Sequence, residues 1–175
     1  MYANLGNALD LFTEFVVGKS KANLNRLKKN TTGNLNKSIK GSYKVSKNSF
    51  QISFEMEDYG TFQDLGVKGS KSSNKAPNSP YKMGTGSAPK GMFKTAINAW
   101  VVRKGIAPRD AKGKFIDRKL LNYRIRKSIY ETGLRTTNFF TEPFETAFKR
   151  LPNEVVEAYG LDIESLLKTS IKNGK

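Results

Sequence analysis

The residues best placed to do chemistry are three carboxylates, Glu57, Asp58 and Asp64, which fall within eight positions of one another. Carboxylates this close can hold a hard cation or share a proton. No matched base and no second acidic cluster accompanies them, and acids at a strand-to-loop corner are common on protein surfaces. A second candidate is the glycine spacing of Gly86-Ser87-Ala88-Pro89-Lys90-Gly91, which is that of a phosphate loop. Met92 and Phe93 stand where such a loop needs Lys and Ser or Thr, and no buried strand precedes it. The chain has no Cys and no His. Thiolate nucleophiles, disulfides, Cys/His zinc sites and the usual proton shuttle near neutral pH are thereby removed. No catalytic residue, cofactor site or metal site is assigned, and the chain is not expected to be an enzyme.

Charge is the most unusual feature of the composition, with 31 Lys and Arg against 15 Asp and Glu and a net charge of +16 over 175 residues. Between Glu14 and Glu55 lie nine bases and no acid, and between Asp64 and Asp110 again nine bases and no acid. The last 25 residues reverse the balance, with Glu154, Glu157, Asp162 and Glu164 against Lys168, Lys172 and Lys175. Such segregation fits nucleic-acid binding or docking on an acidic protein surface. The apolar fraction of 37% predicts a folded chain. No apolar run approaches the roughly 18 residues that span a bilayer, so a soluble, unsecreted protein is expected.

The elements that must position these residues follow from periodicity. Leu5, Leu9, Phe12 and Val16 recur at helical spacing, widened by Ala8 and Phe15 and extended by Leu24 and Leu27, which predicts a helix over residues 3 to 29. Two alternating runs, 39–46 and 50–57, predict a hairpin turning at Lys47-Asn48. Val45 then faces Phe50, Tyr43 faces Ile52, and Lys40 meets Glu55, with the apolar face laid on the first helix. Phe54 and Ile52 are expected in the core. From Gly66 to Gly91, 18 of 26 residues are Gly, Ser, Pro or Lys. That composition predicts a long flexible loop or arm, a tolerated insertion or one ordered by a neighbouring subunit.

Beyond it, Met92, Phe93, Ala96, Ile97, Trp100 and Val101 form a helical stripe, followed by a basic linker from Lys104 to Lys114. Asp117 is expected to cap a cationic helix buried through Leu121, Ile125 and Ile129 and carrying Arg118, Lys119, Arg124, Arg126 and Lys127. Thr141 and Pro143 signal another helix, with Phe144, Ala147, Phe148 and Leu151 as its buried face. A short terminal helix is expected from Asp162 to Ile171.

The segment Thr32-Gly33-Asn34-Leu35-Asn36-Lys37-Ser38-Ile39, the hairpin after it, Tyr59-Gly60-Thr61-Phe62-Gln63-Asp64-Leu65-Gly66 and Glu142-Pro143-Phe144-Glu145-Thr146-Ala147 occur in a telling order. That order resembles the head-to-tail joining or tail-completion proteins of tailed bacteriophages. Those proteins carry an N-terminal helix, a Thr-Gly-x-Leu-x-x-Ser-Ile element opening the hairpin, an aromatic strand ending in an acid, an aliphatic or aromatic residue and a Gly, and a Pro-Phe helix near the end. The resemblance covers about residues 5 to 66 and 138 to 152, while 67 to 137 depart from it. It implies an α+β subunit that assembles into a ring, with strands and loops exposed for neighbours and no catalysis.

The expected protein is therefore a single α+β domain, 1–175, in which an N-terminal helix packs on a small antiparallel sheet, a long loop follows, and further helices end the chain. It is read as a structural virion protein, a ring-forming head-to-tail connector or tail-completion subunit. Its expected partners are copies of itself and portal-side and tail-side virion proteins, with DNA a candidate contact of the basic surface and no membrane. It would reside in the virion neck or tail after assembly in the host cytoplasm. The alternative is a basic nucleic-acid-binding protein using Lys19 to Lys47 and the helix around Arg118 to Lys127 as phosphate contacts.

Overall fold

The computed structural model describes residues 3–29, 31–46, 49–84 and 91–173. The fold is α+β. Its described residues divide into two compact units, Met1–Glu57 with Phe139–Lys175, and Asp58–Asn138, where a single domain was expected. The second unit is a continuous insertion between the hairpin and the last two helices of the first.

In the first unit, helix α1 (Ala3–Arg26) forms where the apolar stripe predicts it, burying Leu5, Leu9, Phe12, Val16 and Leu24. Gly33, at φ 79°, adopts a left-handed conformation and starts the short helix α2 (Asn34–Ser38). Leu35 and Ile39 anchor that segment in a cluster with Leu24 and Phe139. Strands β1 (Lys40–Ser46) and β2 (Ser49–Glu55) pair antiparallel, with Lys40 opposite Glu55, Tyr43 opposite Ile52 and Val45 opposite Phe50, as the alternation predicts. The Lys47-Asn48 turn lies outside the described residues. Gly41 allows α1 to lie close on this ribbon, since a Cβ there would stand 2.3 Å from the Thr13 methyl.

Val45, Ile52 and Phe54 pack on the core of α1 but remain half-buried, and Tyr43 and Phe50 are exposed. The expected core burial of Ile52 and Phe54 is thus only partial. A two-stranded ribbon has too few neighbours on its apolar face to exclude water from both ends.

Helix α3 (Tyr59–Leu65) opens the second unit where an aromatic strand was expected. Its buried residues, Gly60 and Asp64, are four apart, the period of a helix rather than a strand. Strand β3 (Val67–Lys68) pairs antiparallel with β4 (Gly133–Leu134). The expected flexible arm is instead hydrogen-bonded as far as Gly84. Ser70 N–H donates to Tyr130 O, Lys71 N–H to Glu131 O, Met83 N–H to Lys68 O and the Ser79 hydroxyl to Gly66 O, and Ala76 is fully buried. Composition misled because ordering here comes from backbone groups and small side chains such as Ala76 and Ser79, not from apolar bulk. The stretch 85–90, with most of the candidate phosphate loop, lies outside the described residues.

Helix α4 (Met92–Arg103) packs on α5 (Arg118–Thr132), and Asp117 caps α5 as expected, its Oδ1 accepting from the N–H of Lys119 and Leu120. The buried face of α5 is displaced by one position: Asn122, Arg126 and Tyr130 are buried, while Leu121, Ile125 and Ile129 are half-buried. The buried polar groups are satisfied. Asn122 Nδ2 donates to Lys94 O, Arg126 Nε to Asn122 Oδ1 at 2.8 Å, and the Tyr130 hydroxyl to Gly84 O.

The chain re-enters the first unit at Phe139. Helix α6 (Thr141–Phe148) has Phe140, not Thr141, at its N-cap position, without a side-chain cap bond from Phe140, and buries Pro143 and Ala147. Phe148, expected in the core, is 52% exposed. Helix α7 (Leu151–Asn173) runs 23 residues where a short terminal helix from Asp162 was expected. Leu151 belongs to this helix, and Asp162 lies in its middle.

Candidate functional site

The three carboxylates clustered in sequence do not converge in space. Asp58 and Glu57 are exposed, whereas Asp64 is buried on α3. Asp58 and Asp64 are six positions apart, which puts them on different faces of the helix axis. Among the described residues no group of three acids could hold a metal ion. No described helix is long and apolar enough to cross a membrane.

Two surfaces stand out, one on each unit. On the first, the aromatic residues of α6 continue past what the core needs. Phe140, Phe144 and Phe148 recur every four residues and stack in series, with ring centroids 6.0 and 5.6 Å apart. Phe54 meets Phe140 and Phe144 edge-on, and Phe12 does the same to Phe54 and Phe144. Beside this cluster, Phe50, Ile52, Phe148, Pro152 and Val155 line an open groove of about 410 Å³. Sequence reasoning assigned Phe148 to the core. The signal it missed is the surplus of apolar residues on α7, where Val156 is 73% exposed and Tyr159 42%.

On the second unit the feature is charge. Asp58–Asn138 carries 17 Lys and Arg against five Asp and Glu, a net +12, whereas the first unit holds 14 against 10. Most of the second unit's acids are bound to its own structure. Asp64 is buried, Asp117 caps α5, and Asp110 Oδ1 accepts the backbone N–H groups of Lys112 and Lys114 at 2.9 Å. Glu131 pairs with Lys71 at 2.7 Å, and the hydrogen bond from Lys71 holds the Glu131 carboxyl below its ordinary value. The cations, by contrast, are exposed: Arg118, Lys119, Arg124 and Lys127 on α5, and Lys112 and Lys114 in the turn before it. That turn is braced by Arg109, whose guanidinium lies 3.9 Å over the Phe115 ring and donates to Gly113 O. Of the predicted cations of α5, only Arg126 faces inward.

Comparison with family models, with curated proteins and with solved structures gives no match for this chain.

Proposed function

We propose that the chain is a structural subunit of a tailed-bacteriophage neck, a ring-forming head-to-tail connector or tail-completion protein without catalytic activity. The observation that carries this reading is the groove between β2, α6 and α7 in the first unit. It leaves aromatic and aliphatic side chains in water, and contiguous apolar surface of this kind marks a protein interface. The hairpin adds to it, because β1 and β2 form a sheet of two strands and each has an outer edge free of other described strands. A neighbour seated on one edge and in the groove would complete the half-buried layer. A head-to-tail contact of that type, repeated around an axis, closes a ring.

The motif order that resembles the joining proteins supports the same reading; its elements lie in the first unit except residues 59–66, which open the second unit as a helix and not as the strand the resemblance implies. Partners on this reading are further copies of the chain and the portal-side and tail-side components of the particle. The test is the native mass of the purified full chain, alone and with Phe148→Ser or Phe50→Ser. Both side chains are largely exposed, so the variants should keep their helical spectrum while a uniform closed oligomer falls to monomer. A wild-type chain that stays monomeric at every concentration and is missing from purified particles overturns the reading.

A further inference from the structure

We infer that the Asp58–Asn138 unit grips the sugar–phosphate backbone of a nucleic-acid duplex through the outer face of α5 and the Arg109–Phe115 turn, without reading base sequence. This goes beyond the assembly reading, which rests on the other unit, and does not depend on it.

Self-repulsion calls for a partner. A unit with a net charge of +12 raises its own electrostatic energy unless an anion compensates it. Internal compensation is slight: among the described residues no ion pair involves Arg118, Lys119, Arg124 or Lys127, and of these only Lys127 feels a carboxylate, Glu131, one turn along the helix. Two of these cations also stand where local physics disfavours them. Arg118 and Lys119 occupy the first turn of α5, which holds no acid, although the helix dipole favours anions there. Buried Asn122, Arg126 and Tyr130 fix the opposite face of α5 on its own unit. Arg124 and Lys127, three positions apart, therefore point outward together, with Tyr123 exposed beside them.

The composition favours a phosphate backbone over an acidic protein. Eleven of the 17 cations are lysines. Lysine is depleted in protein–protein interfaces, whereas a phosphate contact accepts any positioned cation. Geometry agrees, for α5 runs about 14 Å from Arg118 to Lys127, the axial length of about four phosphates on one strand. Lys112 and Lys114 extend the cationic surface from a turn whose only acid, Asp110, is engaged by backbone N–H groups. Among the exposed cations of α5 no exposed Asn or Gln stands ready to pair with adenine, and with Arg118 and Arg124 engaged on phosphates rather than on guanine edges, binding should be indifferent to sequence.

The experiment titrates the full chain into fluorescent DNA and RNA duplexes of unrelated sequences across a series of salt concentrations, with polyglutamate of equal charge as competitor. Binding to either duplex with a steep salt dependence is expected, and the tighter one names the source of the backbone. Arg124→Gln with Lys127→Gln should weaken binding equally for all sequences and shallow the salt slope by about two units, one per lost phosphate contact. Lys19→Gln with Lys44→Gln, on the other unit, should leave the slope unchanged. Thermal unfolding of each variant controls for folding, and its native mass reports on assembly separately. An unchanged slope in the Arg124/Lys127 variant overturns the inference. So does competition by polyglutamate as effective as that by duplex, which would assign the surface to an acidic protein.

Discussion

Asp162, in the middle of α7, caps the first turn of α1: its Oδ1 accepts the backbone N–H of Asn4 at 3.1 Å, and its Oδ2 accepts that of Leu5 at 3.0 Å. The Asn4 side chain donates to the same Oδ1 at 3.0 Å. The first N–H groups of a helix have no partner within it, so a carboxylate from another helix satisfies them and joins the two ends of the chain. Burial pushes the Asp162 carboxyl up, but the hydrogen bonds from Leu5 and Asn4 outweigh it and hold the group below its ordinary value of 3.8.

Asp162→Ala should therefore lower stability by about 1 to 2 kcal/mol near neutral pH. Because the folded pKa is depressed, this contribution is complete above the ordinary carboxylate value and is lost as pH falls through the folded one. Urea denaturation of wild type and variant across acid pH should show the two curves converging. A gap that stays constant down to low pH would mean that packing, not the charged cap, joins α1 to α7.

Ser20 is fully buried on α1, and its hydroxyl has no hydrogen-bond partner among the described residues. A buried hydroxyl left unpaired costs about 1 to 3 kcal/mol. Ser20→Ala should raise the midpoint of chemical denaturation, with a gain of about 1 kcal/mol. A loss of stability would show that the hydroxyl has a partner.

Phe54 meets three other rings, yet it is only half-buried. Phe54→Ala should cost about 2 to 3 kcal/mol, at or below the roughly 3 to 5 kcal/mol that truncating a fully buried aromatic costs. A change under about 0.5 kcal/mol, the size typical of a surface substitution, would show that the hairpin does not close this core.

Gly133 joins α5 to β4 at φ 79° and ψ −175°, and a Cβ there would lie 2.1 Å from Val67 O. Only glycine is at ease in that conformation, and the strain for another residue is about 1 to 3 kcal/mol before any overlap. Gly133→Ala should part β3 from β4 and speed amide exchange at Ser70 and Lys71, whose N–H groups bond to Tyr130 O and Glu131 O. Limited proteolysis gives a second readout. Wild type should resist cleavage after Lys71 and Lys75, and the variant should be cut there readily; rapid cutting of wild type would restore the flexible arm that the composition of residues 66 to 91 suggests.

Elements written in local pattern are legible in the amino-acid order itself. The stripe Leu5, Leu9, Phe12, Val16 marks α1, the two alternating runs specify the hairpin and its register, and Asp117 announces α5. Each is a relation among residues a few positions apart, and side-chain period and cap chemistry are decided at that range. Of the two surfaces, the cationic one is visible in outline as acid-free stretches of sequence. The aromatic groove is not, because Phe148 carries the same spacing whether it faces a core or water.

Amino-acid order alone marks a cationic α+β protein that lacks Cys and His, and puts its first helix and hairpin in place. Which charges face outward was settled by packing. Arg126 turns inward and Arg124 outward because the face of α5 that packs on its own unit is the one carrying Asn122, Arg126 and Tyr130, where Asn122 reaches the carbonyl of Lys94, 28 positions away. Ser70 and Lys71 are held by the carbonyls of Tyr130 and Glu131 near the end of α5, Gly84 O accepts from the Tyr130 hydroxyl, and α1 is capped by a carboxylate 158 positions distant. Each partner is remote in sequence, and a hydrogen bond between remote groups leaves no periodic trace in the chain; it exists only once packing has brought donor and acceptor together.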